Sequence, residues 1–329
     1  MRRPTRRALR RTALVAALVA VLVLSAGAVS VVRWQDAGAT PGGGRWIGAG
    51  AGGDTVIAAV GDMACAPAAT DEVAAKADAT RCRQQAVSDA ILAAKPAALL
   101  ALGDLQYESG APGDWAPYDR SYGRLRAITK PVPGNHEYLT AGARGYFDYF
   151  KEVAGPAGRG YYSFDIGGWH LIALNSQCRQ TGGCNADSPQ ATWLADDLSN
   201  HPNHCVLAFW HIPRFSSGEH GDSDAYRTFW QTLADHRADL VLAGHDHGYE
   251  RLAPMDSAGL ADDRTGLRSF VVGTGGRNLR PIRKPRQGSE KAIDTAFGYL
   301  ELRLRTHGYA WRFMSVDGTA LDRGEATCH

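Results

Sequence analysis

Basic residues are not in excess over most of this chain. The formal charge is +2, but residues 1–28 hold six arginines and no acid, so the remainder carries −4. A mildly acidic body lacks the global basic character of a nucleic-acid binder. Other absences narrow the chemistry. The chain has no Gly-x-x-x-x-Gly-Lys phosphate loop and no Gly-x-Ser-x-Gly elbow, which sets aside P-loop and serine-hydrolase chemistry. Gly273-Thr274-Gly275-Gly276 lacks the third spaced glycine of a dinucleotide fingerprint and comes late in the chain. Internal repeats are missing too. The length therefore suits one large domain, with or without a short appendage.

Arg2, Arg3, Arg6, Arg7, Arg10 and Arg11 precede an uncharged apolar stretch from Ala13 to Val32, and Ala26-Gly27-Ala28 offers a small-residue cleavage site. Residues 1–32 are therefore expected to be a targeting segment, either a cleaved signal peptide or an N-terminal membrane anchor formed by residues 13–32. In both cases the rest of the protein faces outward. Residues 33–53, rich in Gly and Ala, form a linker, and 54–329 the folded domain. Export makes the six cysteines legible, because an even set in an oxidising compartment favours disulfides over thiolate ligands. Sequence alone does not fix their connectivity. The short spacing of Cys178 and Cys184 suits a small loop over Gly182-Gly183, and Cys65 with Cys82 would tether the loop after the first strand to the next helix. That leaves Cys205 to pin the tail through Cys328.

What is present is a series of apolar runs, each ending in turn residues. Thr55 to Val60 stops at Gly61-Asp62, Ala97 to Leu102 at Gly103-Asp104, Cys205 to Trp210 at His211, and Leu240 to Ala243 at Gly244-His245. These predict buried strands. Amphipathic stretches lie between them. Cys82 to Ala94 places Val87, Ile91 and Leu92 on one face, and Ser188-Pro189 opens a helix through Leu198. Ser269 to Val272 reads as a further strand and Tyr299 to Val316 as a hairpin turning at His307-Gly308, expected to complete a second sheet. Alternation of strand and helix favours an α/β fold, whose ligands gather beyond the carboxyl ends of the strands.

Polar residues concentrate there. In chain order they are Gly61-Asp62, Gly103-Asp104-Leu105-Gln106-Tyr107, Gly134-Asn135-His136-Glu137, His211 and Gly244-His245-Asp246-His247. Singly, each has an ordinary reading: Asp62 as a turn, Asn135 as a left-handed residue, His211 as a core histidine, Tyr107 as packing. Together, carboxylate, phenol, carboxamide and imidazole make a mixed oxygen and nitrogen site suited to iron, zinc or manganese. In an extended chain His245 and His247 project to one side about 6.5 Å apart, enough to hold different ions. Two ions about 3.5–4 Å apart need a bridging carboxylate. Asp104 is the candidate, with Asp62 and Tyr107 on one ion and Asn135 on the other. The basic run Arg277, Arg280, Arg283, Lys284 and Arg286 is read as a solvated loop or as a guide for anionic substrate. His170, His201, His204, His236 and His307 are expected on strand or loop surfaces.

The ordered set resembles the calcineurin-like metallophosphoesterase superfamily, and the tyrosine of Gly103-Asp104-Leu105-Gln106-Tyr107 resembles its purple acid phosphatase branch. The resemblance runs from Thr55 to about Gly276. It implies a four-layer αββα sandwich of two mixed β-sheets flanked by helices, with residues 54–329 as the catalytic domain. It implies that Asp62, Asp104, Tyr107 and His247 bind a first metal, typically Fe(III). Asp104, Asn135, His211 and His245 would bind a second, typically Fe(II), Zn or Mn. His136 and His220 would contact the substrate phosphate or the leaving group. Two departures stand out. Plant-type members carry an extra β-sandwich domain where only a leader and linker are expected here. The family's adjacent histidine pair is here Glu219-His220.

The expected activity is that of an exported phosphatase acting on small phosphorylated substrates. Hydroxide supplied at the metal pair would attack phosphorus in line, and His136 or His220 would give a proton to the leaving alkoxide. No nucleic-acid partner is expected, and contact with a membrane only through the leader. The alternatives are a phosphodiesterase or nucleotide pyrophosphatase using the same site, or an inactive cell-surface metal-binding protein.

Overall fold

Strand ends position this site, so sheet order matters most. The computed structural model describes residues 53–66, 81–202 and 205–329. The leader, the linker up to residue 52 and His204 lie outside the described residues. In chain order the described elements are β1 (Thr55–Val60), α1 (Gln84–Ala94), β2 (Ala98–Leu102), α2 (Ala116–Ser121), β3 (Thr129–Val132), α3 (Arg144–Phe150), β4 (Tyr162–Ile166) and β5 (Trp169–Ala173). Then come α4 (Pro189–Asn200), β6 (Val206–Phe209), α5 (Arg227–Asp235), β7 (Leu240–Ala243), β8 (Tyr249–Met255), β9 (Leu267–Val272), β10 (Ser289–Ile293), β11 (Gly298–Arg305), β12 (Gly308–Ser315) and β13 (Ala320–Thr327).

Two mixed sheets result. The first runs β13-β12-β11-β1-β2-β3 and the second β10-β8-β9-β7-β6-β5-β4. Within the first, β1, β2 and β3 are parallel; within the second, β5, β6, β7 and β9 are. Side-chain alternation explains the layering. Leu207, Phe209, Leu240 and Leu242 point into the core shared with Ile57, Leu99, Leu302 and Phe313. Their neighbours Val206, Ala208 and Val241 pack on the other face with Leu194 and Leu198 of α4 and Phe229, Trp230 and Leu233 of α5. Each fully buried Leu or Phe contributes about 1.5–3 kcal/mol over leaving it exposed. Tyr249 and Phe313 stack across the two sheets at 4.2 Å. Helix α4 starts as its sequence suggests: Ser188 Oγ accepts from Ala191 N at 3.3 Å and Pro189 occupies the first turn.

Three local expectations need correction. The hairpin β11–β12 does not join the second sheet. It pairs with β1 and, with β13, extends the first, while β9 alone of those C-terminal strands belongs to the second. Leu92 of α1 is 40% exposed, since Val87 and Ile91 suffice to fill that helix's contact stripe. His170 is not on the surface. It is buried with its ring nitrogens held by Asp165 (2.7 Å) and Asp197 (2.8 Å), an arrangement that satisfies a charged imidazole inside the fold.

The disulfides are Cys65–Cys82, Cys178–Cys184 and Cys205–Cys328, and no described cysteine is free. The last closes 123 residues and fixes the tail beside β6, where His329 N donates to Asp239 Oδ1 at 2.8 Å. Replacing both Cys205 and Cys328 with alanine is expected to destabilise the protein by about 2–5 kcal/mol. Urea unfolding of the oxidised proteins reads this directly; an unchanged midpoint would show that the tail adds no stability.

Candidate metal centre

Asp62 follows β1, Asp104 follows β2, and Asn135 lies three residues past β3. His211 follows β6, and His245 and His247 follow β7, so all six come from the carboxyl ends of parallel strands in two facing sheets. The turns are tight. Asp62, Asp104 and His245 all have left-handed backbones, with φ of 59°, 49° and 73°. Such conformations gather at sites that the surrounding fold over-determines. Two glycines leave the needed space. A Cβ on Gly103 would stand 2.6 Å from the His211 ring, and one on Gly134 would stand 2.1 Å from Asp104 Oδ1.

Tyr107 Oη stands 2.9 Å from Asp62 Oδ1, 3.2 Å from Asp104 Oδ2 and 3.1 Å from His247 Nε2. His247 Nε2 is 3.2 Å from Asp62 Oδ1. Beside this group, His211 Nε2 stands 3.2 Å from Asp104 Oδ2, 3.1 Å from Asn135 Oδ1 and 3.2 Å from His245 Nδ1. Asp104 Oδ2 thus belongs to both groups. Ligands held at about 2.0–2.2 Å around one ion stand about 3 Å apart, so these separations match coordination edges.

The hydrogen-bond roles make the same demand. His211 Nδ1–H donates to the Leu102 carbonyl at 2.9 Å and His247 Nδ1–H to the Asn278 carbonyl at 2.7 Å. Each Nε2 then faces oxygens of Asp62, Asp104, Tyr107 or Asn135, which it can meet only through a proton or a cation held between them. Electrostatics agree. Burial opposes a charge on His211, but Asp104 and Asp62 prevail and hold its imidazole up at about 9. Burial likewise pushes Asp104 up, yet His211 and His136 hold it well below the ordinary carboxylate range. Burial, then Asp104 and Asp62, push the Tyr107 phenol far up. Burial with His211 and His220 lowers His245 to about 3, leaving a neutral ring. The donor set fits two metal ions.

His136 sits at the mouth, its ring 4.3 Å from that of Tyr107 and its Nε2 3.9 Å from Asp104 Oδ2, with Nδ1–H donating to the Glu108 carbonyl. His220 lies on the other side, its ring 4.1 Å from that of His245 and tilted 31° to it, and its Nδ1–H donates to Asp246 Oδ1 at 2.8 Å. The structure therefore brings together all nine residues singled out in the sequence. One reason given for this differs. The stretch from Gly244 to His247 is not extended: Asp246 N donates to the Gly244 carbonyl and Gly248 N to that of Asp246, and these tight turns send His245 to one group and His247 to the other.

A family model described as calcineurin-like phosphoesterase matches residues 55–249. The chain belongs to that family. Its likeness is to the purple acid phosphatase-like branch. Purple acid phosphatase 21 of Arabidopsis thaliana is 28% identical over 228 residues, 62% of this chain and 50% of that protein. The Fe(3+)-Zn(2+) purple acid phosphatase 12 of the same plant is 25% identical over 263 residues, 69% of this chain and 55% of that protein. A purple acid phosphatase from yellow lupin (Lupinus luteus) seeds shares the fold, with a TM-score of 0.69 and 16% identity over 83% of this chain and 54% of that one. The chain spans about half the length of these relatives.

Around the centre stand further residues whose individual parts the sequence did not show. Glu137 is fully buried and accepts from Asp104 N (3.0 Å), Leu105 N (2.8 Å), Gln106 N (3.2 Å) and Gly134 N (2.7 Å), clamping two ligand loops together. Burial and the Asp104 charge raise its carboxyl to about 7. Asp246, buried, aims His220. Arg277 lies over the Tyr107 ring at 4.9 Å and pairs with Glu108 at 2.6 Å, while Arg280 Nη1 stands 3.4 Å from His220 Nε2. The basic run was visible in sequence; which of its members reach the site was not.

Proposed function

We propose that the chain is an exported phosphomonoesterase with a two-metal centre. Asp62, Asp104, Tyr107 and His247 would hold the first ion, and Asp104, Asn135, His211 and His245 the second. The observation that carries this reading is Asp104 Oδ2, 3.2 Å from both Tyr107 Oη and His211 Nε2. Bound there, the pair supplies Lewis-acid polarisation of the phosphoryl group and lowers the pKa of water. The chain's own residues do the rest. Tyr107 gives up a firmly held phenolic proton on loading, so a trivalent ion such as Fe(III) is favoured over a divalent one. Fe(II), Zn or Mn suits the imidazole-rich second group, and the name of the Arabidopsis relative with iron and zinc supports that pairing. His136 presents Nε2 to a phosphate oxygen, since its Nδ1 is engaged. His220, aimed by Asp246, would face the departing alkoxide and give it a proton first taken up at Nε2. The arginine-rich leader and three disulfides support export.

Purified protein with about two metals per chain is expected to hydrolyse p-nitrophenyl phosphate at least about tenfold faster, by kcat/KM, than bis(p-nitrophenyl) phosphate. Preference for the diester would replace this reading with a diesterase. Turnover of neither, with both metals present, would leave a binding protein. Tyr107→Phe keeps the ring but removes the oxygen, so the visible phenolate-to-iron absorption of the oxidised protein is expected to vanish while phosphatase activity survives in part. An unchanged band in the variant would remove Tyr107 from the ligand set.

A further inference from the structure

Residues 277–286 wrap the rim of the site. The first half is fastened to the metal centre: Arg277 N donates to the Asp62 carbonyl at 3.0 Å and Arg280 N to the His247 carbonyl at 2.9 Å. The second half is fastened elsewhere, with Ile282 N on Asp294 Oδ2 and Arg286 N on Ser217 Oγ, both at 2.8 Å. Ser217 N is itself held by Glu250 at 2.8 Å. Between these fastenings opens a groove of about 470 Å³, lined by Ser217, Gly218 and Glu219 on one wall and Pro281, Arg283 and Lys284 on the other.

Charge in the groove is unbalanced. Arg277 is paired with Glu108 (2.6 Å), Arg280 with Glu219 (3.3 Å) and Arg286 with Asp222 (3.1 Å). Arg283 and Lys284 have no acidic partner among the described residues, and both are exposed. The groove's one acid, Glu219, is engaged by Arg280. Position completes the picture. Glu219 immediately precedes His220, and Arg283 comes three residues after Arg280, the residue that touches His220. Chain reach limits the Cα of Arg283 to within about 11 Å of that of Arg280. Glu219 and the Arg280–His220 contact thus put the groove beside the residue proposed to face the leaving group.

We propose that this groove is a subsite for a second phosphate group on the leaving-group side of the substrate, so that small bisphosphorylated molecules are preferred over monophosphorylated ones. The inference rests on the phosphomonoesterase reading above. Two uncompensated cations on a strap fastened on both sides of them would meet the second phosphate, and each contact would be a charge-assisted hydrogen bond.

Glucose 1,6-bisphosphate and glucose 6-phosphate share a scaffold and differ by that one group. The wild-type protein is expected to favour the bisphosphate about tenfold in kcat/KM, the scale of two partly exposed charged contacts. Arg283→Ala with Lys284→Ala should bring the ratio close to one while turnover of glucose 6-phosphate and p-nitrophenyl phosphate stays as in the wild type. A wild-type ratio near one, or a preference that survives the double substitution, overturns the subsite and leaves the phosphatase reading standing. Should no ester be hydrolysed, the phosphatase reading falls by itself. Equilibrium titration with glucose 1,6-bisphosphate then decides the groove: binding about tenfold weaker in the double variant supports it, and equal binding overturns it.

Discussion

Asp104→Asn is expected to lower kcat/KM for an aryl phosphate by about three orders of magnitude and to strip metal from both positions at once. The geometry dictates the size of the effect. Asp104 Oδ1 accepts from His136 N at 2.9 Å, so the carboxamide oxygen of asparagine would take that place and keep the loop. Its amide nitrogen would then stand where Oδ2 stands, between Tyr107 Oη and His211 Nε2, offering hydrogens where both groups need a lone pair. His245→Ala removes a donor from one group alone and should release mainly the second ion. Metal analysis of the two purified variants, with circular dichroism to show that the fold is kept, makes the comparison. If Asp104→Asn retains two ions and full activity, Asp104 is not the shared ligand.

Glu137→Ala should be the most destabilising change outside the ligand set. Four backbone N–H groups, on Asp104, Leu105, Gln106 and Gly134, lose their acceptor in a fully buried place. An unsatisfied buried donor costs about 1–3 kcal/mol, and relaxation with entry of water recovers some of that, so a loss of at least about 3 kcal/mol is expected in urea unfolding of the metal-free protein. Metal affinity should weaken as well, by about 10–100-fold, because Asp104 and Asn135 no longer share an anchor. Glu137→Gln retains a single carbonyl acceptor and should fall between. A variant with native stability and native metal affinity would show that the clamp is dispensable.

Much of the site was legible because Asp62, Asp104, His211 and His245 stand at the ends of apolar runs, and the end of a run shows in a sequence. Glu137 was in view, inside one of the runs. Its role was not, because three of its partners are main-chain groups 31–33 residues away, and main chain carries no signature. His245 shows a similar limit. An extended chain was the simplest geometry for two histidines two apart, but successive turns at Gly244 and Asp246 do the same job through a left-handed backbone. The terminal hairpin was recognised as a hairpin from its own alternation. The sheet it joins depends on which strand edge is free, here that of β1, and this is decided by packing far away in the chain. His170 was misplaced for the same reason: its two carboxylates come from β4 and α4, and only the folded chain puts them on either side of one ring.

The sheet order gives the donor set a division of labour by element. Every oxygen donor of the proposed centre, on Asp62, Asp104, Tyr107 and Asn135, follows a strand of the first sheet. Every imidazole, on His211, His245 and His247, follows a strand of the second. Neither layer alone holds a mixed site; one would keep only oxygen donors and the other only imidazole nitrogens. Loading of either ion would therefore act as a rivet through both layers, and its binding free energy would add to the cohesion of the sandwich. The spacing of the sheets, held by contacts such as Tyr249 on Phe313, would in turn act as a caliper on the ions that the proposed centre accepts.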